Sequence, residues 1–208
     1  MRRGTGPGCP TRPPHDRGFD RFEKDTDMID AAAYEQRATL KNGAGVMVRA
    51  IRPDDKERLV AAFKNLDPET IFTRFFYHKR TLTDAELKAA TELDFENAVA
   101  LVVTLEEEGK AAIIAGGRYV VLDPGAGTKS AEVAFTVEED YHRQGLARLL
   151  LHHLAAIGRE KGIAAFVAEV LPQNRGMLTV FDKSGLPMKK QHQGDVVHVT
   201  LSLAHERS

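Results

Sequence analysis

The sequence predicts an α/β fold, a mixed sheet carrying helices on both of its faces. Two β-rich runs, residues 98–105 and 111–121, are separated by Glu106-Glu107-Glu108-Gly109-Lys110, whose turn chemistry reads as an antiparallel hairpin. Beyond them, strand-like and helix-like periods alternate, and two such β-α crossovers require helices lying against a sheet. The composition agrees: 208 residues, 42% hydrophobic and 28% charged, is the balance of one compact domain with a real core.

Residues 1–14 are rich in Gly, Pro and Arg, and residues 16–30 are dense in mixed charge. Such a stretch buries too little apolar surface to offset its ordering entropy. Residues 1–40 are therefore expected to form a disordered tail, with at most a short helix near residues 31–37, and residues 41–208 the folded domain. Met28 is a second candidate start. The run Val46-Met47-Val48-Arg49-Ala50-Ile51 alternates as a strand does. Pro53-Asp54-Asp55 opens a helix through Leu66 with Leu59, Ala62 and Phe63 on one face. Asp67 followed by Pro68 is a helix start, an N-cap residue and then proline at the first helical position. Residues 81–91 hold a third short helix, and residues 131–137 a strand. A long amphipathic helix spans residues 144–161 and is closed by Gly162. A strand over 164–171, a helix over 174–183 ended by Gly185, and a last strand over 195–203 complete the order β-α-α-α-β-β-β-α-β-α-β.

Composition also excludes. Lys and Arg total 29 against 30 Asp and Glu, a net charge of −1, without the basic surplus of a nucleic-acid binder. The single cysteine, Cys9, rules out a disulfide framework and fits a reducing cytoplasm. No apolar run reaches the roughly 18 residues of a membrane span. No apolar stretch follows Arg2 and Arg3, so no secretory signal is expected. His152 and His153 are adjacent rather than spaced i, i+4, and His192 and His198 lack carboxylate or cysteine partners in sequence, so no metal site is expected.

The chemistry concentrates where a strand, Glu132-Val133-Ala134-Phe135-Thr136-Val137, passes through Tyr141-His142-Arg143-Gln144-Gly145-Leu146-Ala147-Arg148 into the long helix. The first-turn amides of a helix have no intrahelical partner, and the helix dipole adds positive potential there, so this junction suits an anion such as pyrophosphate. Gly145 and the small Ala147 would let a phosphate approach the backbone, and Arg143 and Arg148 add charge at the rim. The plainer reading is a tight strand-to-helix turn that needs Gly145 for its backbone alone. Neither G-x-G-x-x-G nor G-K-[ST] is present.

This segment resembles the acetyl-CoA signature of the GNAT superfamily of N-acetyltransferases, a strand followed by [QR]-x-x-G-x-[GA]. His142-Arg143-Gln144-Gly145-Leu146-Ala147 matches at the glycine and the small residue and departs at the first position, where His142 stands for Gln or Arg. Leu66-Asp67-Pro68-Glu69-Thr70-Ile71-Phe72-Thr73-Arg74-Phe75-Phe76 and Ala131 to Val137 resemble, more narrowly, the catalytic domain of bacterial protein lysine acetyltransferases. The resemblance covers residues 45–203. It implies a mixed, mostly antiparallel sheet flanked by helices on both faces. It also implies acetyl-CoA as cosubstrate without a metal, and a protein lysine as acceptor, such as one on an acyl-CoA synthetase, in the cytoplasm. A small-molecule amine acceptor, or an acyl-CoA sensor without turnover, is the alternative.

The resemblance further implies that Glu132 is the general base, that the backbone of Phe135, Thr136 and Val137 pairs with the pantetheine arm, and that the residues from Arg143 through Gln144, Gly145, Leu146 and Ala147 to Arg148 hold the pyrophosphate. An amine with a reference pKa of about 10.4 must lose a proton before it attacks a thioester, which is the work a carboxylate at Glu132 would do. Without the resemblance, Glu132 reads as a solvated residue on a strand face, and residues 135–137 as ordinary sheet. Asn174 is a cofactor contact by resemblance and a helix N-cap by local chemistry. Phe181 occupies the place where many family members carry a tyrosine that protonates the leaving thiolate, and it has no hydroxyl.

Overall fold

The computed structural model describes residues 29–204 apart from 76–79, 108 and 126. Eight strands form one sheet: β1 (Glu35–Thr39), β2 (Gly45–Ala50), β3 (Ala98–Glu107), β4 (Lys110–Val121), β5 (Lys129–Val137), β6 (Ile163–Val170), β7 (Met188–Gln193) and β8 (Val196–Ser202). Their spatial order is β1-β2-β3-β4-β5-β6-β8-β7. Every neighbouring pair is antiparallel except β5–β6, which is parallel. The helices are α1 (Lys56–Lys64), α2 (Pro68–Phe75), α3 (Asp84–Thr91), α4 (Leu146–Glu160) and α5 (Arg175–Asp182). The mixed, mostly antiparallel sheet is thus observed as expected.

The two faces of the sheet are covered unequally. On one face α4 lays down Leu146, Leu150, Leu154 and Ile157, all at most 1% exposed, at the three- and four-residue spacing of a helix stripe. They pack on Val99, Leu101, Val103, Ile114, Tyr119, Val133 and Phe166, and Phe181 of α5 joins the same core. Each fully buried leucine there contributes about 1.5–3 kcal/mol of transfer free energy. On the other face, Leu59 and Ala62 of α1 cover the smaller cluster of Ile51, Ala100, Val102 and Ile113. There Asp55, with no exposed side chain, receives both guanidinium nitrogens of Arg49 at 2.7 and 2.8 Å and the amide of Arg52 at 2.9 Å. Burial works to raise this carboxyl, but these bonds and Arg58 outweigh it and hold it below the usual carboxylate value. The pair ties β2 to the start of α1. Thr83 opens α3 with a capping box, its Oγ1 accepting from the Glu86 amide while the Glu86 carboxylate accepts from the Thr83 amide.

Two strands were not expected, and both lie at the rims of the sheet. The boundary drawn at residue 40 is too late, and the short helix near residues 31–37 is not formed. Instead, Asp30 Oδ1 accepts from the Ala32 and Ala33 amides in a tight bend, and residues 35–39 pair with β2 in register from Glu35↔Arg49 to Thr39↔Gly45. Ala31 and Leu40 are 3% and 5% exposed in the main core. At the opposite rim, β7 pairs with β8 from Met188↔Leu201 to Gln193↔Val196. Both strands are polar, EQRAT and MKKQHQ, so neither carries the alternation by which strands are read. The expectations for residues 1–28, among them Cys9 and the Met28 start, lie outside the described residues.

Residues 29–44 form a strap along α4. The Ile29 amide donates to Glu160 Oε2 at 2.6 Å. The Tyr34 hydroxyl and His153 Nδ1 share a hydrogen bond of 2.5 Å. The β1–β2 turn brings Lys41 Cε to 3.8 Å from the Cβ position of Gly145. The strap thus runs from the carboxyl end of α4 to its amino end.

Candidate functional site

The parallel pairing of β5 with β6 runs Lys129↔Ile163, Ser130↔Ala165, Ala131↔Phe166 and Glu132↔Val167, and stops there. From that point β5 continues to Val137 with β4 as its one strand partner, and β6 continues to Val170 with β8. The two strands part like an opening fork, so residues 133–137 present a strand edge to the gap between them. Unpaired backbone donors and acceptors on such an edge are a template for an extended, amide-bearing ligand.

Glu132 is the last residue before the fork. Strand alternation turns Ala131 and Val133, 0% and 3% exposed, into the main core and turns Glu132 to the opposite face, where it is exposed. Its antiparallel partner Val120 is exposed as well, with Leu122 two residues on. Among the described residues the Glu132 carboxylate makes no ion pair or hydrogen bond, so both oxygens are free to accept a proton or a water.

At the far end of β5 a 3₁₀ turn, Glu139–Tyr141, leads into α4. Arg143 has φ 62° and Gly145 φ 91°. Glycine takes that conformation freely, whereas Arg143 bears about 1–2 kcal/mol of strain, held in place by the bonds around it. The first bond of the helix is from the Leu149 amide to the Gly145 carbonyl, 2.9 Å. The amides of Leu146, Ala147 and Arg148 therefore point out of the helix end without a partner. The first turn of α4 has neither an acidic side chain nor a side-chain cap, although both are common at helix starts. Beside the turn, Gln144 Oε1 and both carboxylate oxygens of Glu139 are buried without a hydrogen-bond partner among the described residues. His142, at the position where the signature departs, bonds the Val137 carbonyl through Nε2 at 3.0 Å. It closes the loop onto β5.

The other expected residues fall beside the fork. Phe135 is partly buried; its ring would lie 2.9 Å from a Cβ on Gly117, directly across in β4, so glycine is needed there for the ring to lie flat on the strand. The same ring meets Phe181 of α5 edge to face at 6.3 Å, joining the two arms of the fork with an apolar contact. Phe181 is 1% exposed and offers no proton. Asn174 caps α5, its Oδ1 accepting from the Met177 amide at 3.0 Å. The N-cap reading holds, and its Nδ2 makes no bond among the described residues. Thr136 and Val137 end the strand edge, where the Val137 carbonyl is taken by His142.

Five residues of strand separate Glu132 from Val137, about 17 Å at roughly 3.3 Å per residue. An extended pantetheine arm spans a comparable distance. A cavity of about 980 Å³ between α1 and the start of β4, bordered by Arg58, Asn65, Lys110, Glu138 and Tyr141, lies at the turn end of β5. Glu132 is not among the residues that line it. Sequence reasoning missed Lys41, although Asn42-Gly43 is a strong hairpin signal: Gly43 has φ 89°, and its amide bonds the Leu40 carbonyl at 2.9 Å. Among the described residues no helix is long and apolar enough to cross a membrane, and no group of three metal-ligating side chains occurs.

The Acetyltransferase (GNAT) family model matches residues 65–186, more than half of the chain. Among solved structures, the GNAT domain of S. lividans PAT superposes with a TM-score of 0.74 at 35% identity, covering 81% of this chain and 96% of that domain. Acetyltransferase Pat of Mycolicibacterium smegmatis is 30% identical over 158 residues, 76% of this chain but 46% of Pat, so the chain spans less than half of that relative. An acetyltransferase of Pseudomonas aeruginosa is 27% identical over 139 residues, 67% of this chain and 73% of that protein. With the forked sheet and the glycine turn in place, the chain belongs to the GNAT family of acetyltransferases.

Proposed function

We propose that this chain transfers an acetyl group from acetyl-CoA to an amine, with Glu132 as general base and a protein lysine as acceptor. The observation that carries the proposal is the position of Glu132, an exposed carboxylate without a partner among the described residues, where β5 and β6 part, beside the open edge of residues 133–137. The free amides of Leu146, Ala147 and Arg148 would hold the pyrophosphate, with Arg143 and Arg148 at the rim. The edge of Phe135, Thr136 and Val137 would hold the pantetheine arm. On the far side of the fork, beyond β6, Asn174 Nδ2 would bond the same ligand. Acetyl-CoA supplies the activated acyl group.

The acceptor ammonium gives a proton to Glu132, directly or through one water. The neutral nitrogen then attacks the thioester carbon, a C–N bond forms, and the C–S bond breaks. The electron pair leaves on sulfur as the CoA thiolate, a fair leaving group with a thiol pKa of about 8.5. Phe181 has no proton to give, so water protonates that sulfur. No metal takes part in this reading. A macromolecular acceptor is favoured over a small amine because Glu132 sits on an exposed stretch of sheet with exposed Val120 and Leu122, a surface that a lysine on a folded partner can approach. The resemblance of residues 66–76 and 131–137 to bacterial protein lysine acetyltransferases supports the same choice, and an acyl-CoA synthetase in the cytoplasm is the partner we propose.

The test is transfer of label from acetyl-CoA by the purified chain in a desalted cytosolic extract, with Glu132→Gln alongside. Label in protein lysines that depends on Glu132 is the expected result. Label confined to small molecules would move the acceptor to a metabolite, and tight acetyl-CoA binding without transfer would make the chain a sensor.

A further inference from the structure

We propose that Lys41, carried on the β1–β2 turn, is a pyrophosphate contact for acetyl-CoA, so that the strap completes the cosubstrate site. The inference rests on the reading that the amino end of α4 holds that pyrophosphate. Lys41 Cε lies 3.8 Å from the Cβ position of Gly145, within ammonium reach of the first-turn amides. The side chain is exposed and makes no ion pair among the described residues. A lysine is misplaced there by ordinary helix electrostatics, which put cations at the carboxyl end and acids at the amino end. The first turn of α4 has no acid of its own; Glu138, Glu139 and Asp140 precede it at the 3₁₀ turn, while Arg143, Arg148 and Lys41 are the cations at the helix end. A pyrophosphate, with its two negative charges, is a ligand that an unpaired lysine and free first-turn amides can hold together.

The lysine is presented by ordered backbone rather than by a loose loop. Leu40, its neighbour, is 5% exposed in the main core. The turn is closed by the Leu40 amide to the Ala44 carbonyl and the Gly43 amide to the Leu40 carbonyl, both 2.9 Å, and by the Ala44 amide to Asn42 Oδ1 at 3.1 Å. Upstream, the bonds of Ile29 to Glu160 and Tyr34 to His153 fix the strap along α4. The ordering entropy of the contact has thus been met mostly in the folded chain before any ligand arrives.

Calorimetric titration of the full chain with acetyl-CoA, 3′-dephospho-acetyl-CoA and S-acetyl-pantetheine tests the assignment. Lys41→Ala is expected to weaken both phosphate-bearing ligands by the same factor, about fivefold at low salt, and to leave S-acetyl-pantetheine unchanged. The loss should shrink at high salt, Lys41→Glu should deepen it, and Lys41→Arg should restore binding. Equal affinity of Lys41→Ala and the parent chain for acetyl-CoA at low salt would overturn the proposal while leaving the α4 reading intact. A loss confined to acetyl-CoA would move the lysine to the 3′-phosphate and also overturn it. If the parent chain binds S-acetyl-pantetheine and acetyl-CoA equally, the pyrophosphate reading itself falls, and the Lys41 assignment with it.

Discussion

The strap over residues 29–44 and the segment from β5 into α4 meet at the same helix end and share one core, yet they enter it to different depths. The β5–α4 segment is built around an apolar stripe whose Ala131, Val133, Leu146 and Leu150 are all buried, and it exposes its polar groups where chemistry needs them. The strap is polar along β1 and is held by the buried Ala31 and Leu40, by Ile29, Tyr34, Ala38 and Ala44 packed partly buried on the same core, and by a few hydrogen bonds to α4. The first region would be ordered in almost any related sheet. The second is ordered because α4 is already there to receive it. Damage to β5–α4 should therefore appear in catalysis and cosubstrate binding, and damage to the strap first in stability and, at Lys41, in cosubstrate affinity.

The sharpest test of that division is Glu132→Gln. Loss of the base is expected to lower kcat by a hundredfold or more, on the order of what general-base removal costs, with acetyl-CoA affinity and melting temperature unchanged. A variant that melts early would show Glu132 to be part of the scaffold. Next comes Leu40→Ala, which should destabilise the fold by about 2–5 kcal/mol in chemical denaturation. If it costs much less, the strap is a surface appendage and the contrast fails. Gly145→Ala strains a residue at φ 91°, so a loss of about 1 kcal/mol in stability should accompany weaker acetyl-CoA binding measured by calorimetry. Tyr34→Phe removes the hydroxyl bond to His153 and is expected to cost about 1 kcal/mol, seen as a melting temperature lowered by about 2–4 °C.

The smallest effect concerns pH. Burial, with His152 beside it, holds His153 below the ordinary imidazole value. The unfolded chain then binds this proton more tightly than the folded one, so the contribution is full above about pH 6.5 and is lost as pH falls through the lower folded value. Melting temperatures measured from pH 8 down to pH 5 should fall, and His153→Gln should flatten that part of the slope. An unchanged slope would mean that the bond between Tyr34 and His153 does not depend on the charge of the ring.

Legibility followed the same division. Residues 98–105 and 111–121 announced β3 and β4 by apolar content, and Asp67-Pro68 announced α2 by helix-start chemistry. The glycine turn was legible because a strand, a glycine and an amphipathic helix stand next to each other in sequence. β1 and β7 were not, since Glu35-Gln36-Arg37-Ala38-Thr39 and Met188-Lys189-Lys190-Gln191-His192-Gln193 show no inward face. A rim strand needs one neighbour and one half-covered face, so its sequence can stay polar. The signal that was available, Asn42-Gly43, marked the hairpin and went unread against the charge of the residues before it.

By itself the sequence determined the alternation of elements, the apolar stripe of α4, the glycine at its head and a glutamate on the strand before it. All of these are local, set by spacing within a few residues. Where β5 and β6 part, that Glu132 stands at that point, that Phe135 reaches Phe181, and that Lys41 arrives at Gly145 were decided only in the tertiary structure. Each joins residues 30 to more than 100 positions apart, and such contacts depend on where the packed sheet and helix leave room, which no local pattern records.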